Sequence, residues 1–324
     1  MFRSKFLGLL ISFLFIILAV CDDANNNNPV DTGNDSQSEK DRTVFGVILV
    51  SLVPSQGNSI GYTSVLGKVF DGPTPEGVIW KEVARSGNCR LLTPSVPFCN
   101  NPCDANAICV EDDSCQAYPS AIDMGTVTVK GLLIRSGETS FSMDPILHGY
   151  QPTGGVIVEY PPFSEGDEIT ASATGSSNVP VFAISARGIA QLEVTNDSIV
   201  LEEGKPIVLR WRPPAETGNT TIHVKVDVSH HGGTKGLIEG ECEDNGSLEI
   251  SADLIDGLLD LGVSGFPKLE ITRRTKGSTD PASVDLILES KITKELHIPG
   301  LISCNCNEDC PEGQTCQQDL KCGE

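Results

Sequence analysis

A cysteine pattern spaced C-x3-C-x5-C-x5-C occurs twice in this 324-residue chain, and nothing else in the sequence constrains its folding as tightly. The first copy is Cys99, Cys103, Cys109 and Cys115; the second is Cys306, Cys310, Cys316 and Cys322. One further cysteine lies upstream of each copy, Cys89 and Cys304. Four cysteines within 17 residues cannot enclose an apolar core of their own. In an oxidising compartment they staple a loop-rich knob, so all ten of these cysteines are expected in disulfides. Four cysteines allow three pairings, and spacing does not choose among them. The same short gaps also suit a four-thiolate zinc knuckle; the evidence for export below favours disulfides.

That evidence is the N-terminus. Arg3 and Lys5 precede an apolar run from Phe6 to Val20, which stops at Cys21. At ~1.5 Å per residue the run spans only ~22 Å as a helix, short of a ~30 Å hydrocarbon core. It reads as an export signal rather than a membrane span. Leu18-Ala19-Val20-Cys21 resembles the lipobox of bacterial lipoproteins, with Val20 where that family usually has a small residue. The resemblance implies cleavage before Cys21 and lipidation of its sulfur and amine; the alternative is ordinary cleavage and a secreted protein. Asp22 to Asp41 is rich in Asn, Asp, Ser and Gly, too polar to order itself, and reads as a flexible leash.

The net charge is −21, and −23 once Arg3 and Lys5 leave with the signal. Such a chain repels nucleic acid and anionic headgroups, so no nucleic-acid partner is expected. Its expected partners are the membrane, through the lipid anchor, and a protein of the envelope or cell surface.

The tail Asn305-Cys306-Asn307-Glu308-Asp309-Cys310-Pro311 resembles the small Cys-rich modules of bacterial surface lipoproteins. Gly87-Asn88-Cys89-Arg90, Pro97-Phe98-Cys99, Cys115-Gln116-Ala117-Tyr118-Pro119 and Gly125-Thr126-Val127 together are similar to a group of bacterial lipoproteins. That likeness implies a fold but no activity. Without Cys21, an odd number of cysteines remains. In Ile238-Glu239-Gly240-Glu241-Cys242-Glu243 the acids share one face of a strand and Cys242 shares the other. Cys242 is therefore expected to be the buried free thiol.

The body of the chain is expected to be mainly β: two β-sandwich-like domains, two disulfide-rich knobs and one short helix. Strand-like alternation recurs at 44–52, 65–70, 126–134, 139–143, 156–160, 168–173, 181–185, 189–194, 206–212, 221–228, 237–243, 268–273, 284–289 and 294–298. Abundant Gly and Pro between these runs favour sandwiches or barrels. A helix is expected after the N-cap Ser251, with Leu254, Ile255, Leu258, Leu259 and Leu261 on its apolar face. The implied organisation is a signal over 1–21, a linker over 22–43, a β domain over 44–188 with a Cys-rich insertion over 89–115, a second sandwich over 189–302, and a Cys-rich module over 303–324. Ile207-Val208-Leu209-Arg210-Trp211-Arg212-Pro213-Pro214 resembles an early strand of fibronectin-type or immunoglobulin-like domains, in which the Trp fills the space between sheets.

Two motifs could carry chemistry. Gly57-Asn58-Ser59-Ile60-Gly61 matches G-x-S-x-G, the nucleophile elbow of serine hydrolases, which needs a strand-to-helix turn. Here strand-like runs flank it on both sides, which favours a hairpin loop. His230 and His231 lie near Glu239, Glu241 and Glu243 and could hold a metal. Cross-strand pairing of His223, Lys225 and Asp227 with those glutamates explains the same residues without one. The expected function is a non-catalytic envelope lipoprotein, binding or scaffolding at the cell surface or in the periplasm, without a cofactor or metal. The alternatives are an exported hydrolase using Ser59 and a metal-binding surface protein.

Overall fold

A computed structural model of the chain describes residues 44–324, apart from 56–58, 217, 230, 232 and 280–282. The signal, Cys21 and the leash lie outside these residues. The N-terminal half forms strands at Phe45–Val53 (β1), Tyr62–Phe70 (β2), Ile79–Ser86 (β3), Cys89–Ser95 (β4), Ala107–Glu111 (β5) and Ser114–Ala117 (β6). Val127–Lys130 (β7), Ser140–Met143 (β8), Gly149–Tyr150 (β9), Glu168–Ala173 (β10) and Phe182–Arg187 (β11) follow. The C-terminal half has Ile207–Arg210 (β12), Thr221–Asp227 (β13), Leu237–Glu243 (β14), Ser247–Ile250 (β15) and a helix at Ala252–Asp260 (α1). Lys268–Thr279 (β16), Val284–Glu295 (β17), Thr315–Cys316 (β18) and Cys322–Gly323 (β19) complete it.

One nine-stranded sheet, in the order β3-β4-β14-β13-β16-β17-β1-β2-β9, runs through both halves. Its strands pair antiparallel except β1 with β17, which are parallel. Period-2 alternation gives this sheet one apolar face. Towards the β2 end, Ile48, Val50, Leu52, Val65, Val69, Leu286 and Leu288 pack with Val129, Phe141, Met143, Ile169 and Ile184 of the four-stranded sheet β11-β10-β7-β8. Towards the β4 end, Ile222, Val224, Ile238, Leu269 and Ile271 pack with Leu209 and Trp211, with Leu248 and Ile250 of the small β12–β15 sheet, and with Leu254, Ile255 and Leu258 of α1. Each core is closed as a sandwich on the same face of one common sheet. Ile189 belongs to the first core and Leu192 to the second, but each core also draws on the other half of the chain: Val284, Leu286 and Leu288 join the first, Cys89 and Leu91 the second. Gly277 is where β11 crosses closest, because a Cβ there would collide with the Ser185 carbonyl.

Several expectations change. The runs at 156–160 and 189–194 form no strands; each contributes a single bridge, Val158 to Ile134 and Val194 to Trp211. The run at 294–298 is the end of β17 followed by a buried Leu296 and Ile298. Ser251 stands at the N-cap of α1, but its side chain makes no capping bond and its hydroxyl is buried without a partner. Residues Cys89–Ser95, assigned from the sequence to a Cys-rich insertion, are β4 of the main sheet.

Candidate functional site

The knobs are held by Cys99–Cys109, Cys103–Cys115, Cys304–Cys316 and Cys310–Cys322. In each knob the first cysteine pairs with the third and the second with the fourth. The matching first cysteine of the C-terminal knob is Cys304, and this corrects the expectation for Cys306, which is an exposed free thiol. Cys304 is buried, and its N–H donates to the Leu320 carbonyl at 3.0 Å. Cys306 instead opens the 3-10 turn Asn307–Asp309, where Asp309 accepts its N–H at 3.2 Å and that of Asn305 at 2.7 Å. Three sulfurs converge in each knob, Cys99, Cys103 and Cys115 in one and Cys304, Cys310 and Cys322 in the other. All six are already in disulfides and have no thiolate to give a metal.

Cys89 is also free, against expectation. It sits on β4 opposite Gly240 of β14, facing the second core, while the cysteines of the neighbouring knob are paired with one another. Cys242 is a second buried free thiol on that face. Burial pushes both thiols up to about 11, so both stay protonated and behave as small apolar core groups. Gly240 makes room for Cys89, because a Cβ there would lie 2.9 Å from its sulfur.

The open face of the nine-stranded sheet is polar and carries a depression of about 570 Å³ over β3, β4, β14, β13, β16 and β17. Register explains its composition. Arg90 opposes Glu239, Glu239 opposes Lys225, and Lys225 opposes Glu270, so charges alternate across four strands. In the next row Glu241 opposes His223, His223 opposes Thr272, and Thr272 opposes Lys291. Arg90 pairs with Glu239 at 3.1 Å, Lys291 with Glu270 at 3.0 Å and Arg274 with Glu289 at 3.1 Å. Burial pushes the Glu270 carboxyl up, but the Lys291 and Lys268 ammonium groups outweigh it and hold the group below its usual range. For His223 burial wins: it lowers the imidazole below its usual value despite Glu241 at 3.8 Å, and Arg274 adds to the lowering. The ring is therefore neutral at pH 7, and its contact with Glu241 is not an ion pair there.

The cross-strand opposition of His223 and Lys225 to Glu241 and Glu239 appears in the register as the sequence suggests. Asp227 departs from it: it is buried, accepting the Ser229 N–H at 3.0 Å and the Thr234 hydroxyl at 3.2 Å. The sequence reading missed Arg90, Glu270, Arg274 and Lys291; the signal was the period-2 charge alternation Lys268, Glu270, Arg274, Lys276 along β16. Ser59 is exposed in the loop joining the antiparallel strands β1 and β2, not on a strand-to-helix turn, so the elbow geometry is not formed. His230 lies outside the described residues, and His231 packs edge-on against the Phe266 ring at 5.6 Å. Trp211 is buried between β12 and the large sheet, and its indole N–H donates to Asp244 at 2.7 Å.

No protein-family model matches the chain, and no curated protein matches it. Among solved structures it is similar to the FN1–FN3 domains of chicken CNTN1, at 9% identity over 75% of this chain and 83% of that one, with a TM-score of 0.20.

Proposed function

We propose that the chain is an exported, lipid-tethered, non-catalytic protein of a bacterial envelope that binds or scaffolds through the open face of its nine-stranded sheet. The observation that carries this reading is the one-sidedness of that sheet. Two packed layers cover one face, and the other is left as a rigid polar surface whose charges are set by register. A surface of this kind presents fixed groups to a ligand without assembling a nucleophile and its base. The four disulfides are consistent with an exported protein. Among the described residues no helix is long and apolar enough to cross a membrane. The attachment proposed is by acyl chains on Cys21, which hold stably when more than one is present.

The test compares the full-length protein with Cys21→Ala by fatty-acid labelling and detergent phase partition. Label and detergent partition lost in the variant support the tether. A full-length protein without label, found in the aqueous phase, makes this a secreted protein.

A further inference from the structure

Lys225 is the odd member of the charge ladder. Glu239 is engaged by Arg90, and Glu270 by both Lys268 and Lys291. Among the described residues this leaves the half-buried Lys225 without a carboxylate partner, in the middle of the depression. An ammonium group partly removed from water and unmatched by protein is a site for an external anion. The groups around it narrow that anion's chemistry. The other cations of the lining, Arg85, Arg90, Arg274 and Lys291, are engaged by Glu82, Glu239, Glu289 and Glu270. The carboxylates of Glu239, Glu241 and Glu270 disfavour a phosphate of higher charge while accepting hydrogen bonds from hydroxyl groups. Asn88 and Thr272 add further polar groups. Aromatic and large apolar side chains are absent from the lining, apart from Val224, so the occupant is hydrophilic.

We infer that the depression binds a hydroxylated carboxylic acid, the chemistry of an acidic sugar, with its carboxylate on Lys225 and its hydroxyls on the flanking glutamates. This deepens the proposed binding role and rests on it.

The experiment titrates glucuronate into the full chain carrying Cys21→Ala and follows heat and backbone amide shifts, with glucose, acetate and inorganic phosphate as comparison probes. Saturable glucuronate binding that shifts β13 and β14 amides is expected. Lys225→Gln is expected to weaken it about tenfold, the loss of one charge-assisted hydrogen bond. Glucose and acetate, each lacking half of the recognised chemistry, are expected to bind at least as weakly as glucuronate does to that variant. An unchanged melting temperature for Lys225→Gln shows that the variant is folded. Absence of saturable binding, equal affinity in Lys225→Gln, or phosphate binding as tightly as glucuronate overturns the site. Glucuronate recovered chemically altered after incubation supports the site and overturns the non-catalytic reading instead.

Discussion

Arg273 and Asp244 form a fully buried ion pair in which every polar atom is used. The Arg273 Nε donates to Asp244 Oδ2 at 2.5 Å, and one terminal nitrogen donates to Oδ1 at 3.1 Å. The remaining N–H groups reach the carbonyls of Arg212 at 2.7 Å, Gln191 at 3.0 Å and Ala190 at 3.2 Å. Asp244 also accepts from the Trp211 indole and, at 2.8 Å, from the Thr220 hydroxyl. The node ties the segment around Gln191 to Trp211, which follows β12. Asp244→Asn should leave Arg273 buried without a counter-charge and cost about 3–5 kcal/mol. The double change Asp244→Leu with Arg273→Met should cost less than the two single changes added together, because no charge is left stranded. Urea unfolding of wild type, Asp244→Asn, the two single changes Asp244→Leu and Arg273→Met, and the double variant measures both; strict additivity would count against the coupling.

Thiol accessibility separates the three free cysteines among the described residues. In a Cys21→Ala background, alkylation of the native protein should label Cys306 alone, because Cys89 and Cys242 are buried. Urea should then release the other two. Cys306 is raised above the usual thiol value chiefly by its hydrogen bond with Glu308, and Asp309 adds to the effect. Glu308→Gln should therefore shift its alkylation profile to lower pH. Peptide mapping without reduction should recover the four disulfides; a Cys306–Cys316 peptide would contradict the pairing found here.

Acidification should destabilise the protein in two steps of the same sign. The folded His223 titrates below its usual value of 6.5, so between that value and its folded value the unfolded chain binds a proton that the native state does not. Stability falls as pH drops through this window. Glu270 is lowered from 4.5, so its contribution is present above that value and lost as pH falls through its folded value. His223→Gln should flatten the first step and leave the second. Were Glu241 to dominate over burial, the folded value would lie above 6.5, and wild type would instead gain stability as pH falls towards 6.5 and show no loss below it. Urea midpoints from pH 8 to pH 4 decide between the two signs.

How much of this was legible in the sequence follows the distance over which each feature is determined. The bounds of β10 and β14, the apolar face of α1 and the burial of Trp211 depend on local alternation, and local alternation shows them. The opposition of His223 to Glu241 also shows, because a single hairpin sets it. Strand β3 did not: it is exposed along most of its length, and a bulge between Glu82 and Ala84 interrupts its alternation. Cys89 was misplaced because its pairing with β14 joins segments about 150 residues apart, which spacing cannot reveal. The depression combines side chains from six strands, and its meaning depends on which carboxylates are already engaged.

The choice of Cys304 over Cys306 has the same origin, and it yields a last prediction. The C-terminal knob is seated on the loop before β16: Gly265 N–H donates to the Asp319 carbonyl at 2.7 Å, and Phe266 N–H to the Ser303 hydroxyl at 2.8 Å. Lys321 closes the seat on the Val263 carbonyl at 3.2 Å. At Gly265 the knob's backbone arrives so close that a Cβ would collide with the Leu320 carbonyl. This backbone atom cannot move aside alone, because two disulfides hold the knob rigid. Gly265→Ala should therefore unseat the knob as a unit, at a cost of about 1–3 kcal/mol for overpacking. Of the 263–266 loop only Val263 packs against a core, as a partly buried neighbour of the second, so the strands of both cores should keep their amide protection. Hydrogen exchange should show faster exchange confined to residues 303–324 and the 263–266 loop, with Cys304 and Cys316 still paired on peptide mapping. Unchanged protection across 303–324 would mean that the loop yields and that the seat is not set by Gly265.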